Sequence, residues 1–382
     1  MNPIHLPPAV WVDTTAGLRA LVEDLQQQST IAVDTESNSL HAYQEQVCLI
    51  QFSTSEKDYL LDPLALPDLT LLAPIFAAPE IEKIFHAAEY DLLCLRRDFA
   101  FTFENLFDTM WAARLLGYEK VGLGALLERH FGVQPDKRYQ RANWAKRPLP
   151  PEQLLYAQLD THYLIPLRQR LGEALEEAGL CALAEEDFAR FARLSLDAPP
   201  EPRPCWQTIK KSRHLNPRQA AILQALCEFR EKIAKRQNRP RFKVIGDREL
   251  MRIAEAAPTS LRALTREAGL NRRLTERYGK GLLRAVQKGL QAGELYPPRH
   301  PHPSPAYLER LDALRSWRKR TARRIGVESD IVLPRTYMET IAAENPRSLD
   351  ALRPLMADIP WRYQNYGEEI LRVLNDAARF TY

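Results

Sequence analysis

Four acidic residues and one tyrosine in this sequence have the types and spacing that metal-assisted chemistry requires. The first two acids, Asp34 and Glu36, end the short apolar run 31–33, which is typical of a buried strand. Residues two apart on a strand lie on the same face, so these carboxylates repel each other unless a hard divalent cation neutralises them. On this stretch alone, the alternative that both are solvated loop residues stays open.

Two further stretches complete the set. Asp91 follows the change from a predicted strand to a predicted helix within 85–91, and Tyr156 and Asp160 are four residues apart, so they share one helical face. Four carboxylates suit two Mg²⁺ or Mn²⁺ ions about 3.5–4 Å apart, which can hydrolyse a phosphodiester while the phenol orients the attacking water. A tyrosine and an aspartate at this helical spacing are more often structural, so the prediction depends on the combination.

The elements that must position these residues alternate between short apolar strands and helices. Capped or apolar-periodic segments predict helices at 13–27, 88–99, 109–116, 123–131 and 151–171. Runs rich in apolar and β-branched residues predict strands at 30–36, 47–52, 58–62, 82–86 and 103–108. This mixture indicates a layered α/β domain.

A cationic segment, 137–148, lies between two of the predicted helices. It holds five cations and two aromatic residues without helical periodicity, which favours a loop that contacts phosphates and stacks on bases. A solvated loop anchored by its tryptophan is the alternative. The RNA-contacting residues predicted here are Lys137, Arg138, Arg141, Trp144, Lys146 and Arg147.

The charge is divided unevenly along the chain. Residues 1–200 carry 17 Lys+Arg and 29 Asp+Glu, a net charge of −12, whereas residues 201–382 carry 36 and 20, a net charge of +16. A strongly basic half supplies sequence-independent attraction to phosphate backbones, which favours a nucleic-acid partner over a merely solvated helical surface.

The basic half contains an internal duplication with a constant offset of 88 residues. For example, Leu226, Arg230 and Pro258 are matched by Leu314, Arg318 and Pro346, and no gap is needed. Proline-rich stretches at 197–204 and 296–305 precede the two copies. The apolar positions have helical spacing, so we expect two small helical domains of the same fold.

The motifs together resemble those of DEDDy 3′→5′ exonucleases of the ribonuclease D family, and the resemblance covers nearly the whole chain. It includes VDTES, FHAAEYDLL, LFDTMWAARLLG, NWAKRPL and QLLYAQLDTHYL. The duplicated segments resemble HRDC domains. The resemblance implies a ribonuclease H-like α/β exonuclease domain at 1–196, linkers at 197–211 and 291–305, and all-α HRDC domains at 212–290 and 306–382.

The resemblance also implies roles for the site residues. Asp34 bridges two metal ions, Glu36 and Asp160 hold the ion that binds the nucleophilic water, Asp91 serves the second ion through water, and Tyr156 positions the nucleophile. The neighbouring His86 and Asp108 stay outside this set. His86 is expected to be a strand-end residue, and Asp108 is expected to support the site or to cap the next helix.

The implied function is stepwise trimming of 3′ extensions from tRNA precursors and other structured RNAs, with release of 5′-mononucleotides. Two alternatives remain open: a DNA 3′→5′ exonuclease with the same site, and a non-catalytic nucleic-acid-binding scaffold. The scaffold would need a missing acid, and none is missing. A monomer is expected.

Composition limits the setting of the protein. The five cysteines are scattered and fit neither a disulfide framework nor a zinc site. The sequence shows no apolar run as long as a membrane helix and no signal peptide, so we expect a cytoplasmic protein without a membrane partner.

Overall fold

The computed structural model describes residues 6–194, 203–298 and 302–379 of the chain, with side chains described to residue 377. The chain forms two compact units. Residues Met1–Ser37, Val47–Leu196 and His302–Tyr382 form the first unit, and Asn38–Gln46 and Asp197–Pro301 form the second. Within the described residues, no helix is both long and apolar enough to cross a membrane.

A six-stranded mixed sheet is the centre of the first unit. Its order is β1-β4-β3-β2-β5-β6, with β3 antiparallel to both neighbours and the pairs β1–β4, β2–β5 and β5–β6 parallel. Every residue of β3 is buried, as expected for a strand covered on both faces. The strands are Val10–Val12 (β1), Thr30–Ser37 (β2), Val47–Ser53 (β3), Asp58–Leu61 (β4), Glu82–Phe85 (β5) and Leu106–Asp108 (β6).

Helices flank this sheet, and all but one bury their apolar faces in one core with it; the helix that contains Tyr156 and Ala157 packs on the sheet through a second buried cluster. They are Thr15–Leu25 (α1), Ala73–Ala77 (α2), Glu89–Phe99 (α3), Thr109–Leu115 (α4), Leu123–Phe131 (α5), Pro151–His162 (α6), Leu164–Glu177 (α7) and Cys181–Ala192 (α8). The helix expected at 151–171 is in fact two helices, because the backbone leaves helical geometry at Tyr163 (φ −96°, ψ 0°). Strand β1 and helix α8 were not predicted.

Two copies of one helical arrangement follow. The first copy, in the second unit, comprises Pro217–Arg236 (α10), Arg241–Val244 (α11), Asp247–Ala256 (α12), Leu261–Arg266 (α13) and Arg272–Gln291 (α14), after the short helix Cys205–Thr208 (α9). The second copy, in the first unit, comprises Pro305–Ile325 (α15), Ser329–Val332 (α16), Arg335–Glu344 (α17), Leu349–Leu352 (α18) and Pro360–Arg379 (α19).

Each helix of the second copy begins 88 residues after its counterpart, and the correspondence extends to single contacts. Arg230 donates to the carbonyl of Ile245 at 3.1 Å, and the equivalent Arg318 donates to the carbonyl of Leu333 at 2.9 Å. The predicted mixed sheet flanked by helices, followed by two helical repeats, is confirmed. The exact domain boundaries stay a prediction, because residues 197–202 and 299–301 of the two proline-rich stretches lie outside the described residues.

Candidate active site

Strand β2 carries Asp34 and Glu36 on one face of the sheet. Asp34 lies directly opposite Gln51 of β3, and the pairing register shifts between Glu36 and Ser37. Both acids are half-buried, although the strand around them is largely buried. The β-bulge therefore ends the regular ladder just after the second acid, which leaves both carboxylates at the end of the paired strand.

Helix α3 brings Asp91 to the same place. Its carboxylate is buried, and its Oδ1 accepts a hydrogen bond from the hydroxyl of Thr35, the residue between the two β2 acids. Thr35 was not predicted as a site residue. Its position between two candidate ligands is the only sequence signal that could have indicated it.

The turn that starts α3 is held by Asp108 at the end of β6. Its Oδ1 accepts from the backbone N–H of Ala87 at 3.1 Å and its Oδ2 from that of Ala88 at 2.8 Å. Oδ1 also accepts from Met110 at 2.8 Å and from Trp111 at 3.0 Å, which caps α4. Asp108 therefore has both of the roles considered from the sequence, since it caps one helix and fixes the approach to another.

His86 lies beside this turn, directly after the end of β5, and is half-buried. Its Nδ1 is 2.9 Å from the hydroxyl oxygen of Thr109, and burial lowers the pKa of the imidazole to about 4. A neutral ring committed to a threonine hydroxyl fits the packing role expected from the sequence.

Helix α6 supplies Tyr156 and Asp160, which are both buried. The ring of Tyr156 lies 6.1 Å from the rings of Tyr139 and Trp144, centroid to centroid. Its phenol interacts with Asp160 and with Gln140, a second residue that was not predicted.

The cationic segment differs from expectation at two positions. Trp144 is 1% exposed and packs beneath Tyr156, so base stacking by this indole is corrected to a packing role. Arg147 is also occupied within the fold, because its guanidinium binds Asp62 at 2.7 Å and the carbonyl of Cys48 at 2.7 Å.

The remaining cations of the segment, Lys137, Arg138, Arg141 and Lys146, are exposed. Of these, Arg138 forms an ion pair with Asp136. The segment contains a 3₁₀ turn at Lys137–Arg141 and thus has more local order than a plain loop.

Burial and neighbouring carboxylates raise the pKa values of the four acids. Burial, then the neighbouring carboxylates, raise the pKa of Asp34 and that of Glu36 well above their usual range. Burial raises the pKa of Asp91 to about 7 against an opposing hydrogen bond from Thr35, and burial raises that of Asp160 to about 8. The four carboxyl groups therefore resist ionisation, and a divalent cation would offset the repulsion between their ionised forms.

The donor set fits hard divalent cations, because it offers only carboxylate oxygens. Among the residues that the structure describes, however, no three acidic, histidine or cysteine side chains converge on one point as metal ligands do. The carboxylates lie close enough to raise one another's pKa, as at Asp34 and Glu36. Because they do not converge on one point, ion binding at this site would require side-chain rotations that bring them together.

Comparisons with known proteins agree with this arrangement. The family described as 3′-5′ exonuclease matches residues 9–176, and the HRDC domain family matches residues 219–286 and 308–374. The chain is 32% identical to ribonuclease D of Gluconacetobacter diazotrophicus over 380 residues, which cover 96% of this chain and 92% of that protein. It is 33% identical to the yeast exosome complex exonuclease RRP6 over 268 residues, but these span only 36% of the yeast protein.

A solved structure matches over the same extent. The crystal structure of Escherichia coli RNase D, described as an exoribonuclease involved in structured RNA processing, superposes with a TM-score of 0.69 at 25% identity and covers 97% of this chain and 99% of that one. Exonucleases of this type depend on metal ions. The chain therefore belongs to the ribonuclease D family of 3′→5′ exoribonucleases and carries two HRDC domains.

Proposed function

We propose that this exoribonuclease trims the 3′ ends of tRNA precursors and other structured RNAs, releasing 5′-mononucleotides by two-metal-ion hydrolysis. One observation carries the mechanism: β2, α3 and α6 bring four carboxylates together beside a buried phenol, where burial and then the charges of Asp91 and Asp160 raise the pKa of Asp34 and that of Glu36. The structured-RNA substrate is supported by the relative from Escherichia coli, whose description names structured RNA processing.

The proposed ligands come from three elements: two from β2, one from α3 and one from α6. Asp34 would bridge both ions, Glu36 and Asp160 would hold the ion on the side of the attacking water, and Asp91 would serve the second ion through water. Bound Mg²⁺ or Mn²⁺ would supply an activated water and stabilise the leaving 3′ oxygen. Burial raises the pKa of Tyr156, so its hydroxyl keeps its proton and is suited to orienting the water by a hydrogen bond.

The HRDC repeats would hold the RNA. In the second repeat, a groove of about 450 Å³ between α15 and α19 is lined by three arginines and two acids, which are Arg320, Arg324, Arg372, Glu369 and Asp376. The equivalent positions of the first repeat are Lys232, Arg236 and Arg284, so the same helix pair is basic in both copies. We propose that these faces, with Lys137, Arg141 and Lys146 of the cationic segment, contact the phosphate backbone. The protein would act as a monomer in the cytoplasm, where its substrates are.

The test compares matched 5′-labelled RNA and DNA oligonucleotides, and a tRNA precursor with a 3′ extension, in Mg²⁺ or Mn²⁺. We expect one-nucleotide ladders from the 3′ end on RNA, 5′-mononucleotide products, and no cleavage by Asp34→Asn, whose amide holds divalent ions poorly. Faster degradation of DNA would contradict the RNA substrate. Near wild-type activity of Asp34→Asn at saturating metal would contradict the site.

A further inference from the structure

Gln51, in the middle of β3, has an amide that is buried without a partner. The residue is 0% exposed, and neither its Nε2 nor its Oε1 makes a hydrogen bond within the part of the chain that the structure describes. Buried polar side chains are normally paired, because leaving one unpaired costs free energy. An apolar residue of similar size would serve packing better at this position, so the amide calls for another explanation.

The position of Gln51 places it next to the catalytic acids. It lies directly opposite Asp34 in the antiparallel pair of β2 and β3. Directly opposite residues of an antiparallel pair project to the same face of the sheet, with their Cβ atoms about 4.5–5.5 Å apart. The amide and the Asp34 carboxylate are therefore cross-strand neighbours.

The same face of β3 is covered by the helix that carries Asp160. Two residues after Gln51, Ser53 donates to Thr161 of α6 at 2.7 Å. Two residues before it, Leu49 belongs to the buried cluster that contains Tyr156 and Ala157 of α6. Gln51 thus lies between two contacts of β3 with α6, on the sheet face that carries Asp34 and that is covered by the helix with Asp160.

We propose that Gln51 is a positioning residue for the metal site: its Nε2 would donate a hydrogen bond to the Asp34 carboxylate when that carboxylate holds divalent cations. The hydrogen bond fixes the orientation in which Asp34 presents its other oxygen to the ions. The proposal builds on the two-metal function proposed above.

This role predicts opposite effects on stability and on metal affinity. Without ions, replacing the amide by an apolar side chain of similar size removes an unpaired buried group and should not destabilise the protein. With ions, the same replacement removes a hydrogen bond to a ligand, and loss of such a bond weakens metal affinity by about 10–100-fold.

The experiment compares full-length wild type with Gln51→Met, Gln51→Leu, Ser53→Ala and Asp34→Asn. Mn²⁺ binding is measured from the electron paramagnetic resonance signal of the free ion, and the melting temperature is measured in a metal chelator. Ser53→Ala is the matched control, because Ser53 lies on the same face of the same strand but has its partners, Asp58 at 2.6 Å and Thr161.

We expect Gln51→Met and Gln51→Leu to raise the Mn²⁺ dissociation constant about tenfold or more while the metal-free melting temperature stays equal or rises. Ser53→Ala should lower the metal-free melting temperature and leave the Mn²⁺ dissociation constant close to that of wild type. The inference is overturned if both Gln51 variants keep a dissociation constant within about twofold of wild type, or if both melt lower than wild type in chelator. Failure of the two-metal function would look different, because wild type and Asp34→Asn would then bind Mn²⁺ equally.

Discussion

At the scale of single residues, the site is a set of acids that oppose one another's ionisation and a phenol that stays protonated. Tyr156 shares its face of α6 with Asp160, packs on Trp144 and interacts through its phenol with Gln140. Its buried ring is fixed by packing, so the hydroxyl, rather than the ring, is the part available for the reaction.

Removing that hydroxyl should affect turnover more than binding. We expect Tyr156→Phe to lower the single-turnover cleavage rate by about 10²-fold, because the group that orients water is lost. RNA affinity, measured in Ca²⁺ to prevent cleavage, should change little because the ring remains. An unchanged cleavage rate would assign Tyr156 to packing alone.

The raised pKa values of the acids make the metal-free protein sensitive to pH. A group whose pKa in the folded state exceeds its unfolded value stabilises the fold at low pH, and this contribution is lost as pH rises through the folded pKa. With Asp91 at about 7 and Asp160 at about 8, against usual values of 3.8, the metal-free protein should lose stability between about pH 5 and about pH 8.

The check is the melting temperature in chelator across this range for wild type and Asp160→Asn. The asparagine variant should lose less stability with rising pH, and Mn²⁺ should flatten the wild-type profile. A wild-type melting temperature that rises from pH 5 to pH 8 as steeply as that of the variant would contradict the buried-acid account.

At the scale of elements, the site depends on turns that direct helices toward the end of β2. The turn before α3 includes Ala87 with φ +64°, a left-handed conformation that alanine rarely adopts. Asp108 stabilises that turn through its bonds to Ala87 and Ala88 and links it to the start of α4. The location of Asp91 therefore depends on a carboxylate that is not itself a proposed ligand.

Asp108→Asn should destabilise the fold and loosen the site. An amide offers one acceptor oxygen where the carboxylate serves four N–H donors, so we expect a loss of about 2–3 kcal/mol. Urea unfolding measures this loss, and hydrogen exchange should show faster exchange at Ala87 and Ala88. The control is Asp68→Asn, since Asp68 is an exposed acid that bonds only locally to Thr70 in the described structure. Equal losses for both variants would contradict the proposed role of Asp108.

At the scale of the whole molecule, the second HRDC repeat is joined to the exonuclease domain by a buried ion pair within the first unit. Arg362 of α19 is 0% exposed and binds Asp187 of α8 at 2.8 Å as well as Glu186 and the carbonyl of Ile331. Asp187 also accepts from the indole of Trp111 at 2.7 Å. The equivalent position in the first repeat is Leu274, so this docking contact is specific to the second repeat.

Breaking that ion pair should be costly. Arg362→Met leaves the buried Glu186 without a cation and Asp187 with Arg190 alone, for which we expect a loss of about 3–5 kcal/mol in urea unfolding. The triple variant Arg362→Met, Glu186→Gln, Asp187→Asn should recover much of the loss, because no buried charge is then left unpaired. If the single variant loses less than about 1 kcal/mol, the repeat is not docked by this pair.

The basic faces of the repeats are better tested by substitution than by deletion, since deletion would also remove Arg362. A triple variant should weaken RNA binding, and it combines Arg320→Gln, Arg324→Gln and Arg372→Gln. The slope of the logarithm of the binding constant against the logarithm of salt concentration should become shallower by about 0.7–0.9 per lost phosphate contact. Cleavage of a saturating short oligonucleotide should change much less. Lys120→Gln, at an exposed position of the acidic half, is the control. An unchanged salt slope would contradict the anchoring role.

The sequence by itself determined the elements and the chemistry they carry. Alternation and apolar runs predicted β2 to β6, the 88-residue repeat predicted two equivalent helical domains, and the motifs indicated the acids and Tyr156. These features are local or periodic, so they can be recognised from the sequence alone. The tertiary structure decided what depends on contacts between distant segments: the burial of Trp144, the hydrogen bond from Thr35 to Asp91, the unpaired amide of Gln51 and the charge pairing of Arg362. The sequence does not show which group a Lys or Arg side chain will contact. Only folding determines whether that side chain contacts solvent, a phosphate or a buried carboxylate.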